Sequence, residues 1–184
     1  TPAVRAWRPE EERHATGILG ALESPGVRTI VLFGTCCGLA FGGPEVGMPA
    51  FADAQGAVEL GGIPLALFAG GSLVGGLVAG TRTSGHPLRL LRLSAFLLVG
   101  GLALPLLGTS IWTLSILAFA AGLPIAPAFT AAFGLIDHVA KRGTVAEAFA
   151  WIGTSIGTGI AGGTAAAGAL VDHSGARAAF AFGV

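Results

Sequence analysis

Charged and apolar positions in this chain fall into long blocks rather than alternating within turns. From Thr29 to Ala52 the only charged residue is Glu45. Leu60 to Thr81, Leu93 to Ile136 and Ala148 to Val171 carry no charge at all. A helix that crosses a membrane needs about 20 mostly apolar residues to span about 30 Å of hydrocarbon. As a single helix the Leu93–Ile136 block would reach roughly 66 Å, about two bilayers, so it must turn back. Its most polar spot, Gly108-Thr109-Ser110, is the predicted turn. The blocks predict five crossing helices, over 29–52, 60–81, 93–109, 111–136 and 148–171. A sixth starts at 176–184 (ARAAFAFGV) and is too short to span. The predicted fold is an all-α, polytopic membrane bundle over 29–184, preceded by a polar cytoplasmic linker over 1–28.

Basic residues set the orientation. Nine of the ten Lys and Arg residues fall before the first block, between the second and third, or between the fourth and fifth. These segments alternate onto one side, which the positive-inside rule makes cytoplasmic. Arg82, Arg89 and Arg92 form the middle group and read as a loop and topology signal. Trp112 and Trp151 fit an aromatic belt at the two interfaces.

Composition agrees with the block pattern. Hydrophobic residues make up 53% of the chain and mean hydropathy is +0.78. Charged residues are 11%, against about 25% in a soluble domain. A net charge of zero shows no nucleic-acid footprint. The first residue is Thr1 and the only methionine is Met48, so a fragment or a processed product is expected. The polar opening, with Glu10, Glu11 and Glu12 in a row, has no secretory-signal pattern.

The blocks differ from one another. The third is leucine-rich and suits a lipid-facing surface. In the fifth, 17 of the 24 residues from Ala148 to Val171 are Gly, Ala, Ser or Thr. Small residues let helix backbones approach closely in lipid. Gly153, Gly157 and Ala161 share one stripe, and Ser155, Gly159, Gly163 and Ala167 another. The second block repeats this with Gly71–Gly75 and Gly76–Gly80, so both helices are predicted to be packed by protein. The fourth carries Pro124 and Pro127, with Thr130 closing the same segment (GLPIAPAFT). Each proline removes a backbone hydrogen bond and kinks the helix. Such breaks occur around transport sites and also as purely structural kinks.

Several tempting motifs lack their context. GTGIAG (157–162) matches a dinucleotide-binding pattern but lies inside an apolar run, with no free helix N-terminus for a pyrophosphate. Asp137-His138 is expected at the inner end of the fourth helix and Asp172-His173 at the outer end of the fifth, about 30 Å of hydrocarbon apart. His14 and His86 have no zinc-ligand spacing. Cys36 and Cys37 are adjacent and poorly placed to bridge each other. No nucleophile–base pairing is evident, so neither an enzyme, a cofactor nor a metal site is expected.

Glu45 is the residue that asks for a function. A charge near a helix centre costs about 2.5–3.5 kcal/mol, and one good apolar residue returns only about 0.3–0.6. It should therefore face protein, water or a partner. Positions 34, 38, 41, 45 and 48 share a helix face, so Gly34, Gly38, Phe41, Glu45 and Met48 are predicted to form one pocket wall. Three roles stay open for Glu45: carrying coupling protons, binding a cationic organic solute, or holding a neighbouring helix.

Three segments together resemble the C-terminal half of a major facilitator superfamily transporter of the bacterial efflux type. SPGVRTIVL (24–32) resembles the entry to helix 7. GGLVAGTRTSGHPLRLLRL (75–93) is similar to the loop motif between helices 8 and 9, and GALVDHSGARAAF (168–180) to the helix 11–12 junction. One departure stands out. The acidic residue that the family places before the loop arginine is missing, since Gly80 and Thr81 precede Arg82. The resemblance implies helices 7 to 11 and the start of helix 12. Helices 7 and 10 would line a central cavity, 8 and 11 would pack on an N-terminal half absent from this chain, and 9 and 12 would face lipid. It further implies a multi-pass protein of the inner (plasma) membrane that moves a small organic solute by alternating access, outward and driven by protons. A non-transporting scaffold subunit and an inactive truncated remnant are the alternatives.

Overall fold

The computed structural model describes residues 19–81 and 87–184. Among them are seven helical segments and no strand: α1 (Pro25–Ala54), α2 (Gly62–Gly80), α3 (Pro87–Leu102), α4 (Ile111–Gly122), α5 (Ile125–Val139), α6 (Val145–Ser174) and α7 (Ala176–Phe182). Most of the expected linker, together with Arg82 and His86 of the loop motif, lies outside the described residues.

The helix ends follow local chemistry. Pro25 opens α1 ahead of the apolar block, because a proline in the first helical position gives up an N–H that has no partner there anyway. Pro44 and Pro49 lie inside α1 without ending it. Between α3 and α4, a short 3₁₀ turn (Leu104–Leu107) runs into Gly108–Ser110. There the Ser110 hydroxyl accepts from the Thr113 amide (3.3 Å), and the Thr113 hydroxyl accepts from the Ser110 amide (2.9 Å). This reciprocal cap starts α4.

Two expectations need correction. Arg89 and Arg92, expected in a loop, lie in the first turns of α3, which starts at Pro87. The helix extends past the apolar block, as it can once its end reaches the polar interface. The 111–136 block is not one helix: Pro124 caps α5 and separates it from α4. Among the described residues, four stretches are long and apolar enough by hydropathy to cross a membrane, Pro25–Ala54, Val58–Gly80, Leu88–Leu107 and Ile111–Val139, in keeping with the expected all-α polytopic bundle. The fifth expected crossing, α6, is diluted by its Gly, Ser and Thr content, although its 30 residues equal α1 in length.

The packing exchanges helices between two groups of three. α1 packs mainly on α6 and α7, while the broken helix α4–α5 packs mainly on α2 and α3. The leader of each trio thus rests on the two followers of the other, as in an inverted repeat. Gly175, at φ 79°, makes the tight turn that lays α7 back on α1. A side chain at Gly43 would lie 2.5 Å from the Ala179 carbonyl oxygen, and one at Gly47 2.7 Å from the Phe180 ring.

Apolar side chains fill the two ends and the middle of the bundle. Val27, Ile30, Leu135, Ile136, Ala148 and Ile152 pack together at the inner end. Met48, Phe51, Ile111, Leu114, Ala118 and Phe180 fill the outer end. Cys37, Phe41, Leu98 and Leu102 sit between them. At the inner end polar bonds tie the chain before α1 to the α5–α6 corner. Ser24 Oγ donates to the Val139 carbonyl at 2.6 Å, and the Ala21 amide donates to Glu147 Oε2 at 3.2 Å.

Candidate functional site

Two parallel seams decide which faces stay open. On α1, Gly38 meets the Ile156 carbonyl and Gly159, and Gly42 meets the Gly163 backbone. Gly159 and Gly163 return the contact against the Thr35 and Leu39 carbonyls. On α2, Gly71 meets the Phe119 carbonyl and Gly75 the Leu123 carbonyl, while Gly122 meets Phe68. A side chain at Gly76 would lie 3.0 Å from the Ala126 methyl. The resemblance implies partners for these two helices outside the chain, but these stripes find theirs within it. Gly80, Gly153 and Gly157 have no neighbour within 4 Å of where a side chain would begin. Gly153, Thr154, Gly157, Thr158 and Ala161 accordingly form an open face on α6.

Glu45 does not share a wall with Met48. Met48 is fully buried in the outer cluster, and Gly34 and Gly38 are consumed by the α6 seam, whereas Glu45 is exposed. A five-position helix face is wide enough to be divided between neighbours, and here three groups share it. Glu45 follows Gly42, which touches α6, by three residues, and Phe41, which touches α2 and α5, by four. It therefore stands on the strip of α1 left between those contacts. No ion pair to Glu45 occurs among the described residues.

Below Glu45 a line of phenylalanines joins four helices. Phe41 packs edge-on to Phe68 (6.3 Å between centroids, 78°) and against Phe129 (6.1 Å). Phe129 continues to Phe133 (6.1 Å), and Phe133 to Phe149 (5.9 Å), with Phe33 joining at Phe129 (6.3 Å). These spacings suit tilted aromatic pairs. Phe133 and Phe149 remain 36% and 42% exposed, so the line ends on an open surface. Thr130, also exposed, is the next residue after Phe129. A carboxylate one turn from a phenylalanine line offers a cation both an ion pair and ring faces. Of this line the sequence singles out only Phe41; the four-residue spacing of Phe129 and Phe133 is the one signal it holds for the rest.

Pro124 and Pro127 stand apart from Glu45. They line a separate groove of about 630 Å³ between α2, α3 and the α4–α5 break. Pro127 cannot donate to the Leu123 carbonyl, and that carbonyl points at the Gly75 backbone instead, a Cα–H···O geometry. The Asp137-His138 and Asp172-His173 pairs lie in the last turns of α5 and α6, and each imidazole Nδ1 sits near its own helix carbonyl, Gly134 (3.2 Å) and Ala169 (2.7 Å). No group of three or more potential metal ligands occurs among the described residues.

A family model described as Major Facilitator Superfamily matches residues 6–184. No curated protein and no solved structure matches the chain.

Proposed function

The chain belongs to the major facilitator superfamily of membrane transporters, and from that premise we propose that it supplies one wall of an outward-moving, proton-coupled carrier for small organic cations. The observation that carries this reading is Glu45, an exposed carboxylate on the strip of α1 between its contacts with α6 and with the phenylalanine line. The solute's charge would rest on Glu45, one helical turn from Phe41, and the Phe133–Phe149 end of the line with Thr130, nearer the inner end, would form a separate stop on its path. Glu45 would alternate between the solute's charge and a proton, so that loading one releases the other. The opposite wall would be a second six-helix half, seated on the open face of α6 that carries Gly153 and Gly157. Small residues there allow the close approach that helix association in lipid requires. The protein would sit in the cell's inner membrane with the start of α1 on the cytoplasmic side.

The test is flux through the whole carrier in sealed vesicles. Glu45→Gln should abolish uphill movement driven by a pH gradient, while solute-for-solute exchange survives and the protein remains in the membrane. Gradient-driven flux equal to that of the parent protein would overturn the coupling role. Loss of both modes would assign Glu45 to solute binding alone.

A further inference from the structure

The groove at the α4–α5 break is a slot, not a chamber. Its α3 wall runs from Leu90 to Gly101, with Leu104 of the next turn beyond it, about 17 Å along the helix axis. That is longer than one leaflet of a hydrocarbon core about 30 Å thick. Leu93, Phe96, Leu97, Gly100, Leu123 and Pro127 give it apolar sides. Its volume of about 630 Å³ lies within the range of ligand sites, about 300–1,000 Å³. Phe96 is 81% exposed on one rim, so the slot opens sideways. On the α3 wall Gly100 has no neighbour within 4 Å of a side-chain position, which leaves the slot open there.

Arg89 precedes Leu90, the first α3 residue that lines the slot, by one position. Arg89, Leu93, Phe96 and Gly100 follow one another at helical spacings of four, three and four, so they form one stripe. Arg89 is the member of that stripe at the polar interface, and it is exposed. It has no carboxylate partner among the described residues, where the single ion pair is Lys141–Glu23. Arg92 is also exposed but projects from another side of α3, outside the stripe.

We propose that the slot holds one acyl chain of an anionic phospholipid of the cytoplasmic leaflet, with the lipid phosphate on Arg89. The apolar length fits a chain, the cation fits the headgroup, and the two lie in the order that an inner-leaflet lipid presents them. The chain would lie against Pro124 and Pro127, where α5 lacks the hydrogen bonds that would hold it to α4. Bound lipid therefore braces the break, and the lipid composition of the inner leaflet sets how freely α5 moves.

The purified protein in nanodiscs, with phosphatidylglycerol carrying a spin label on its acyl chain, tests this directly. The parent protein should immobilise labelled phosphatidylglycerol over labelled phosphatidylcholine. Arg89→Gln should lower that preference about fivefold, the effect of removing one cation near an anionic surface. Arg92→Gln should leave it unchanged. Leu97→Trp, which fills the slot, should release the immobilised chain while Arg89 stays in place. Equal immobilisation of both lipids, or equal effects of Arg89→Gln and Arg92→Gln, would overturn the site. So would an immobilised chain that persists in Leu97→Trp, or a slot labelled by transported solute and not by lipid.

Discussion

The α1–α6 seam and the α2–α4 seam are the same device used twice, and they end differently. Both join parallel helices, and both place glycines four residues apart against carbonyl oxygens of the neighbour. α1 passes through its seam as one 30-residue helix, prolines included. The helix opposite α2 breaks at Leu123-Pro124, directly at the second glycine contact. One seam faces an unbroken helix over its length; the other crosses the break, past which Gly76 still meets the Ala126 methyl. Glycine permits close approach in lipid, and the approach survives a break in the partner helix, since Gly75 still meets the Leu123 carbonyl there.

The largest expected effect comes from overfilling the closed seam. A side chain at Gly163 would enter the Leu39 backbone, which cannot move without displacing α1. Gly163→Val should cost on the order of 3 kcal/mol, the upper part of the range for overpacking. It should appear as a lowered thermal midpoint in detergent. At the broken seam, Gly75→Val meets Leu123, whose segment can shift with the break. Its cost should be about half as large. Equal costs would show that the break is as rigid as α1, and the comparison would fail.

A smaller change should make the two seams more alike. Pro127→Ala restores an amide that can donate to the Leu123 carbonyl. One regained hydrogen bond is worth about 1 kcal/mol. Hydrogen exchange at residues 123–127 should slow, and solute turnover should fall if the break must flex during transport. Unchanged exchange would mean that Pro124 alone sets the break.

The sequence made the bundle readable because its physics is coarse. Block length marks the apolar helices, and Gly108–Ser110 marks a turn that needs no knowledge of neighbours. The candidate site was less readable because its parts are distinguished only by partners. In a helix that is apolar all round, periodicity no longer tells inside from outside. Met48 and Glu45 therefore looked like members of one wall, although one belongs to the outer core. Gly157 and Gly159 are two residues apart in an identical composition, yet one is free and the other locked against Thr35. The phenylalanine line was equally silent, since Phe68, Phe129 and Phe149 each sit among mostly apolar residues, with no pattern that pairs them.

The smallest expected effect lies where the closed seam begins. Lys141 Nζ donates to Glu23 Oε2 at 2.6 Å, pinning the turn before α1 to the corner that leads into α6. That hydrogen bond and the lysine charge hold the Glu23 carboxyl below its ordinary value of 4.5. A carboxyl lowered in the folded state stabilises the fold above its unfolded pKa. The contribution is present at neutral pH, begins to fade as pH drops below about 4.5, and is gone once pH falls through the folded value. Both side chains are more than half exposed (55% and 64%), and an exposed pair is screened by water and salt. Glu23→Gln should therefore lower the thermal midpoint slightly at pH 7 in low salt, with the difference from the parent closing as pH falls below the carboxylate range or as salt rises. A difference that survives both treatments would mean that Glu23 holds the start of the α1–α6 seam by packing rather than by charge.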